Sequence, residues 1–297
     1  MEKKIKVLLT GDAGFIGGYT ALKLEELGYD VGGMDIKRGK REDIRDMGNV
    51  LKAFGIFEPD VVVHLAALAG VRDSVEEYVD YYDTNITGLH HMLEASRIHK
   101  VKKFLFASSS SVYGGLECPL KEDMQPLNPL SPYGVSKLAG ELLCRIYSRH
   151  FPIVAFRPFT VYGKNGRVDQ VVGKITDAGI NGKVFYRYGD GTSNRGYTNV
   201  NDLVDGIARL IDYEPKDNFD VFNLGGTEII LLSELIDTVK GIFPSLKVEQ
   251  RDLFPVDPVH SYADVSKAKE KLGWEPKRNF KEEILKICKT SKNQKKS

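Results

Sequence analysis

The feature that most constrains the fold of this chain is a glycine-rich turn between a short apolar run and an amphipathic segment. Residues 6–10 have the pattern of a buried strand, and residues 15–27 carry apolar side chains at helical spacing. Gly11, Gly14 and Gly17 lie at the junction. Glycines at this spacing permit a tight turn and close packing of a helix against a strand. The sequence therefore predicts a strand–turn–helix unit at the start of an α/β fold.

An acidic residue after the second predicted strand indicates that the turn binds a dinucleotide. Residues 31–36 form the next predicted strand, and Asp35 stands near its end, 18 positions after Gly17. Dinucleotide sites place a carboxylate about 20 residues beyond the last glycine, where it binds the ribose hydroxyls. Because a carboxylate there repels a 2′-phosphate, we expect NAD rather than NADP. Lys37 and Arg38, just beyond it, are interpreted as exposed loop charges, and the alternative is that they weaken this preference.

The rest of the first half alternates β-branched runs with amphipathic stretches, the pattern of a parallel sheet covered by helices. We predict a Rossmann-type doubly wound parallel sheet with a smaller, irregular α/β lobe. The predicted strands are 60–66, 103–107 and 153–157, the predicted helices are 81–99 and 136–147, and one helix and one strand lie within 200–223. The predicted domains are 1–166 with 197–225, which binds NAD, and 167–196 with 226–297, which binds the substrate.

Composition excludes several classes of function. The chain has 297 residues, 42% of them hydrophobic and 28% charged, and its net charge is +1. Such a balance gives no field that would attract nucleic acid or an anionic membrane. No apolar run has the length of a membrane span. Cys118, Cys144 and Cys288 lack paired spacing, so we expect neither disulfides nor a metal site, and a cytoplasmic location.

A tyrosine and a lysine predict acid–base chemistry. Tyr133 and Lys137 are four residues apart at the opening of a predicted helix, which places them on one face. A nearby ammonium favours the phenolate and lowers the pKa of a tyrosine. Ser109 lies in a run of four serines at the end of the preceding predicted strand, where it can donate a hydrogen bond into the ligand crevice. The three residues therefore predict a catalytic centre.

The order of the motifs resembles the extended short-chain dehydrogenase/reductase family of NAD-dependent epimerases and dehydratases. The resemblance covers nearly the whole chain and is greatest to UDP-glucuronate and UDP-glucose 4-epimerases. It rests on Thr10-Gly-x-x-Gly-Phe-Ile-Gly17, His64-Leu-Ala-Ala67, Asn85, Ser109-x-x-Val-Tyr-Gly114, Tyr133-x-x-x-Lys137, Arg157-Pro, Arg195 and Leu272-Gly-Trp-Glu-Pro276. We assign His64 to packing.

This resemblance implies roles for individual residues. The catalytic residues it implies are Tyr133, Lys137 and Ser109. The residues it implies for NAD are Gly11, Gly14, Phe15, Ile16, Gly17, Asp35, Asp43, Ile44, Ala66, Ala67, Leu68, Asn85, Tyr133 and Lys137. Those implied for a UDP-sugar are Ser109, Ser110, Ser111, Tyr133, Thr160, Arg167 and Arg195, with Arg195 on the diphosphate and Arg167 near a sugar carboxylate. It also implies a homodimer through a four-helix bundle that contains residues 81–99 and 136–147.

Two departures from the family pattern bear on the reaction. Ser110 and Ser111 stand where family dehydratases and decarboxylases carry acidic residues, so we expect 4-epimerisation of a UDP-hexose through a 4-keto intermediate, with glucuronate ahead of glucose. A UDP-glucuronate decarboxylase, a 4,6-dehydratase, an oxidoreductase with net hydride exchange and a non-catalytic NAD-binding scaffold stay open. The arginine usual before Asp257 is missing, and Arg251 is the candidate to replace it.

Overall fold

The structure is a computed structural model that describes residues 4–294, with side chains to residue 292. The ends of the predicted domains, residues 1–3 and 295–297, lie outside the described residues. The strands are β1 (Lys6–Thr10), β2 (Asp30–Met34), β3 (Val61–His64), β4 (Lys103–Ala107), β5 (Ile153–Pro158), β6 (Val161–Tyr162), β7 (Val184–Tyr188), β8 (Asn194–Gly196), β9 (Thr198–Asn199), β10 (Phe219–Leu224), β11 (Ile229–Leu231), β12 (Lys247–Arg251) and β13 (His260–Ser261).

Ten helices accompany these strands within residues 4–294. They are α1 (Phe15–Glu26), α2 (Met47–Phe57), α3 (Tyr78–Tyr82), α4 (Gly88–Ile98), α5 (Pro132–Tyr147), α6 (Val171–Asn181), α7 (Val200–Asp212), α8 (Leu232–Lys240), α9 (Ser266–Leu272) and α10 (Phe280–Gln294). Residues 83–87 continue from α3 into α4 as a π-helix. The sequence did not predict α2, although Asp46 caps it by accepting hydrogen bonds from the amides of Gly48 and Asn49.

The predicted doubly wound parallel sheet is confirmed. Six strands pair in the order β10-β5-β4-β3-β1-β2, and every pair is parallel. The chain runs from β1 to β2 on one side and then returns to β3 on the other side of β1. Open α/β sheets bind ligands beyond the carboxyl ends of their strands at such a switch in direction. The ends of β1, β3 and β4 therefore mark the expected site.

Alternate residues of the central strands enter two separate cores. Val7 and Leu9 of β1 pack with α1 and α7, whereas Leu8 between them packs on the opposite face with α2, α4 and α5. Side chains of a strand point alternately to its two faces, so a sheet covered by helices on both faces needs apolar residues at every position. This explains the nearly continuous apolar runs. His64, also buried, lies 2.8 Å through Nδ1 from the Thr10 hydroxyl.

A third core lies away from the large sheet and joins α6, α8 and α10. Ile175, Leu235 and Ile284 are fully buried in it. Two small sheets accompany this part, one in the order β11-β8-β13 and one that pairs β12 with β7. This part is more regular than the glycine-rich sequence predicts. By contrast, Trp274 and α9 pack on the core of the large sheet. In the described part of the chain, no helix combines the length and apolarity of a membrane span.

Candidate active site

One large cavity opens at the carboxyl ends of the sheet strands and extends towards the third core. Its volume is about 1030 Å³. It is lined by all but one of the residues that the sequence assigns to a site: Gly11, Gly14, Phe15, Ile16, Gly17, Asp35, Asp43, Ile44, Ala66, Ala67, Leu68, Ser109, Ser110, Ser111, Tyr133, Lys137, Thr160, Arg167 and Arg195. The fold thus brings residues separated by up to 184 positions to one cavity.

The glycine turn forms a bare backbone surface on the cavity wall. Gly11 has a φ of +73°, and a Cβ on it would lie 2.8 Å from the amide nitrogen of Ala66. A Cβ on Gly17 would lie 2.0 Å from the carbonyl oxygen of Gly11. The turn, the first helix and the loop after β3 approach so closely that no side chain fits at either position. Exposed backbone N–H groups at a helix N-terminus suit a pyrophosphate.

Asp35 follows β2 and turns its carboxylate towards this cradle. Its Oδ2 accepts a hydrogen bond from the amide of Ala13 at 3.1 Å, and its Oδ1 accepts one from the amide of Lys37 at 2.8 Å. The guanidinium of Arg38 is bidentate on Asp12, at 2.6 and 2.8 Å. The Arg38 side chain is therefore already paired with a carboxylate rather than presented to a 2′-phosphate. The glycine cradle and the Asp35 carboxylate fit NAD.

Asn85 is the predicted NAD residue that does not line the cavity. It is buried in the π-helix, where its side chain bonds the amide of Leu68 at 2.8 Å, the carbonyl of Leu68 at 3.0 Å and the hydroxyl of Ser136 at 3.0 Å. These bonds fix the cavity-lining loop after β3 against α5. Both donors of the amide are used in these bonds, so Asn85 supports Leu68, and a direct contact of Asn85 with NAD stays a prediction.

Tyr133 and Lys137 lie in the first turns of α5, whose start is set by Ser131 and Pro132. The Ser131 hydroxyl accepts a hydrogen bond from the Gly134 amide at 3.1 Å, and proline is favoured at the first helical position. These two signals place the helix start four residues before the predicted one. The Lys137 ammonium donates to the carbonyl of Ala107 at 2.8 Å and lies 5.9 Å from the centre of the Tyr133 ring.

The charges around Tyr133 differ from the sequence-based expectation. Burial raises the pKa of the Tyr133 phenol above 10.0, while hydrogen bonding with Ser109 and the positive charge of Arg167 oppose this rise. Burial also lowers the pKa of Lys137 to about 8. The charge of Arg167 thus favours the phenolate, the Lys137 ammonium also joins α5 to the end of β4, and the predicted effect of Lys137 on the Tyr133 phenol stays a prediction. Ser109 Oγ also bonds Ser111, at 3.1 Å from the Ser111 hydroxyl.

A buried polar network, which the sequence did not predict, joins the elements that carry these residues. Arg157 of β5 is bidentate on Glu141 of α5, at 2.8 and 2.7 Å. Ser108 donates to the same carboxylate at 2.5 Å, and Tyr113 accepts from Arg157 at 2.8 Å. Glu141 lies one turn after Lys137, and Ser108 precedes Ser109. The network therefore ties both catalytic elements to the sheet; in the sequence, only the Arg157-Pro motif and Tyr113 of the Val-Tyr-Gly motif pointed to it.

Two arginines lie on the substrate side of the cavity in different electrostatic settings. Arg195 of β8 donates to the carbonyls of Asn194, Val259 and Pro258 at 2.6–2.9 Å. It has no carboxylate partner among these contacts, so its charge is available to an anion such as a diphosphate. Arg167 instead bonds both oxygens of Asp169 and the carbonyl of Ala69.

Asp257, on the substrate side of the cavity, is paired with an arginine from a distant part of the chain. Arg251 lies over the ring of Tyr186, 4.4 Å from its centre, and does not bond Asp257. Arg72, from the loop after β3, binds Asp257 at 2.5 Å, and its guanidinium lies 3.9 Å from the centre of the Tyr188 ring. Arg72 thus reaches Asp257 from 185 positions earlier in the chain, and replacement of the missing arginine by Arg251 stays a prediction. This pair joins the two sides of the cavity.

Known proteins are similar to this chain over nearly its whole length. The model of the NAD-dependent epimerase/dehydratase family matches residues 7–225. An uncharacterised UDP-glucose epimerase of Bacillus subtilis (strain 168), YtcB, is 34% identical over 304 residues, which cover 94% of this chain and 95% of that protein. The structure of UDP-glucuronic acid 4-epimerase from Bacillus cereus with UDP-glucuronic acid and NAD has a TM-score of 0.88 at 32% identity, covering 98% of this chain and 100% of that one. The structure of MoeE5 with UDP-glucuronic acid and NAD has a TM-score of 0.90 at 29% identity, and the match covers 97% of this chain and 99% of that one.

Proposed function

This chain belongs to the NAD-dependent epimerase/dehydratase family, and we propose that it is a 4-epimerase of a UDP-hexose, either UDP-glucuronate or UDP-glucose. The observation that carries the proposal is the placement of Tyr133, Ser109 and Lys137 on one cavity wall, with the glycine cradle and Asp35 on the same cavity. A proton acceptor thus shares a cavity with a dinucleotide cradle, as oxidation of a secondary alcohol requires.

The residues of the chain have separate tasks in this reaction. Tyr133 as phenolate accepts the proton of the sugar 4-hydroxyl and returns it when the alcohol is restored. Ser109 hydrogen bonds at the phenol, and the charge of Arg167 favours its ionised form. NAD held by the glycine turn and Asp35 would supply the hydride chemistry at C4, with oxidation and reduction on opposite faces of the sugar. Arg195 holds the diphosphate, which leaves the sugar free to turn over.

Ser110 and Ser111 support epimerisation over elimination. Both line the cavity next to Ser109, in a short 3₁₀-helix. Loss of a hydroxyl or decarboxylation is assisted by an acid or base beside the reacting carbons, and serine hydroxyls ionise too weakly for that task. The reaction proposed therefore ends with reduction of the 4-keto intermediate in place.

Product analysis tests this proposal directly. The protein is incubated with NAD and each of UDP-glucuronate, UDP-glucose and UDP-N-acetylglucosamine, and the sugars are identified by NMR. We expect the C4 epimer at equilibrium without accumulation of free NADH. A pentose product, a 4-keto-6-deoxy product, stoichiometric NADH or no turnover of any sugar would contradict it, and would indicate a decarboxylase, a dehydratase, an oxidoreductase or a scaffold, respectively.

We also propose that the protein is a cytoplasmic homodimer with two domains, as the sequence predicts. The free cysteines suit a reducing compartment. Apolar side chains of α3 and α5 face outwards, since Val79, Leu142 and Ile146 are 65%, 59% and 56% exposed. Light scattering should give twice the chain mass of 33.2 kDa. Leu142→Arg should give the monomer, and a wild-type monomer at micromolar concentration would refute the dimer.

A further inference from the structure

Arg167 is held by an acid from its own loop. Its Nε donates to Oδ1 of Asp169 at 3.0 Å and its Nη2 donates to Oδ2 at 2.5 Å, so two parallel bonds join the guanidinium and the carboxylate. The same Nη2 donates to the carbonyl of Ala69 at 2.6 Å. Both side chains line the cavity and are partly exposed, 30% for Arg167 and 45% for Asp169.

The position of this pair relates it to the reacting carbon. The Tyr81 hydroxyl and the Nη2 of Arg167 both lie against Gly70, 3.0 and 3.6 Å from the point where a Cβ would stand, and the Tyr81 ring packs edge-on against the Tyr133 ring with 6.2 Å between their centres. Because Tyr133 takes the proton of the 4-hydroxyl in the proposed reaction, a cation on the same stretch of cavity wall is within reach of substituents on the ring carbons next to C4, of which C5 is one. The C5 substituent is the one that differs between a uronate and a neutral hexose.

Arg167 and Arg195 differ in the net charge that each carries together with its hydrogen-bond partners. Arg195 donates its hydrogen bonds to neutral carbonyls and feels the Asp257 carboxylate only from a distance, whereas Arg167 and Asp169 form a bidentate ion pair that is neutral as a whole. A substrate carboxylate gains the strong bidentate contact with Arg167 only where Asp169 withdraws. A neutral hydroxymethyl group leaves the pair intact. Asp169 and a substrate carboxylate are therefore competitors for one binding group.

We propose that Asp169 is a specificity-determining residue that competes with the C5 carboxylate of a uronate substrate for the guanidinium of Arg167. The inference rests on the proposed UDP-hexose site. Asp169 sets how strongly the site prefers a C5 carboxylate over a hydroxymethyl group, and Arg167 contributes to uronate binding only as far as Asp169 releases it. Specificity here is the difference between the affinities for a uronate and for a neutral hexose, and Asp169 changes it by competing with the uronate carboxylate for Arg167.

The test measures binding and turnover of UDP-glucuronate against UDP-glucose in the NAD-loaded protein. Calorimetry gives Kd for both ligands, and kcat/KM is measured for each sugar that is turned over. We expect Asp169→Asn to shift the Kd ratio towards UDP-glucuronate by about two- to fivefold, the size of one partly exposed ion pair. Arg167→Met should shift it the other way, and the double variant should match Arg167→Met.

A matched control separates the local competition from a general change in charge. Asp80 is an exposed acid on the cavity wall, and Asp80→Asn removes the same charge from α3. The proposal predicts a smaller shift for Asp80→Asn than for Asp169→Asn. An unchanged ratio in Asp169→Asn, an equal shift in both variants, or a shift that persists without Arg167 would overturn it. The proposed function fails separately, through absence of epimer from every UDP-hexose in the wild type.

Discussion

Removing the charge of Glu141 should destabilise the fold more than any surface ion pair does. Glu141→Gln keeps the shape of the side chain but leaves the guanidinium of Arg157 without a counter-charge. Both residues are buried, at 6% and 2% exposure, and the two bonds between them measure 2.8 and 2.7 Å. Breaking one partner of a buried pair costs about 3–5 kcal/mol, because a charge then stays in a medium that solvates it poorly.

Denaturant unfolding followed by circular dichroism measures this cost. Asp205→Asn is the matched control, since its pair with Lys23 spans 2.8 Å between α1 and α7 but is partly exposed. We expect about 0–1 kcal/mol for the control, because water screens the pair. The double variant Glu141→Leu with Arg157→Met should regain much of the loss, since no unpaired charge remains. A cost for Glu141→Gln no larger than that of Asp205→Asn would refute the reasoning.

Three further predictions concern the cavity. Tyr133→Phe should lower kcat by about 10²–10⁴-fold, the range for loss of a general base, while NAD stays bound; retention of more than a hundredth of the activity would contradict the assignment. Gly17→Ala should weaken NAD binding in a titration, because its Cβ would lie 2.0 Å from the Gly11 carbonyl, whereas Gly18→Ala is the control with its nearest contact at 3.7 Å. Arg167→Ala removes a charge that lowers the pKa of Tyr133, so the acidic limb of kcat for UDP-glucose should move to higher pH; an unmoved limb would show that this charge does not reach the base.

The sequence alone determined those parts of the site that lie within one turn or one strand end. Gly11 to Gly17 predicts its own strand–turn–helix geometry, and the four-residue spacing of Tyr133 and Lys137 fixes one helix face. The position of Asp35 beside the turn is predicted by the lengths of the helix and strand that separate it from Gly17. Local steric rules carry this information, so the doubly wound sheet and most of the cavity lining were predictable without coordinates.

Only the tertiary structure decided which distant side chains meet. Asn85 bonds Leu68 instead of lining the cavity because a π-helix and α5 surround its amide. Arg72 meets Asp257 across 185 positions, and Arg157 meets Glu141 from a different element. No local spacing encodes such pairs, since they depend on how whole helices and strands pack around shared cores. The partners of Arg72 and Arg157 are therefore determined by the packing of helices and strands that lie far apart in the sequence.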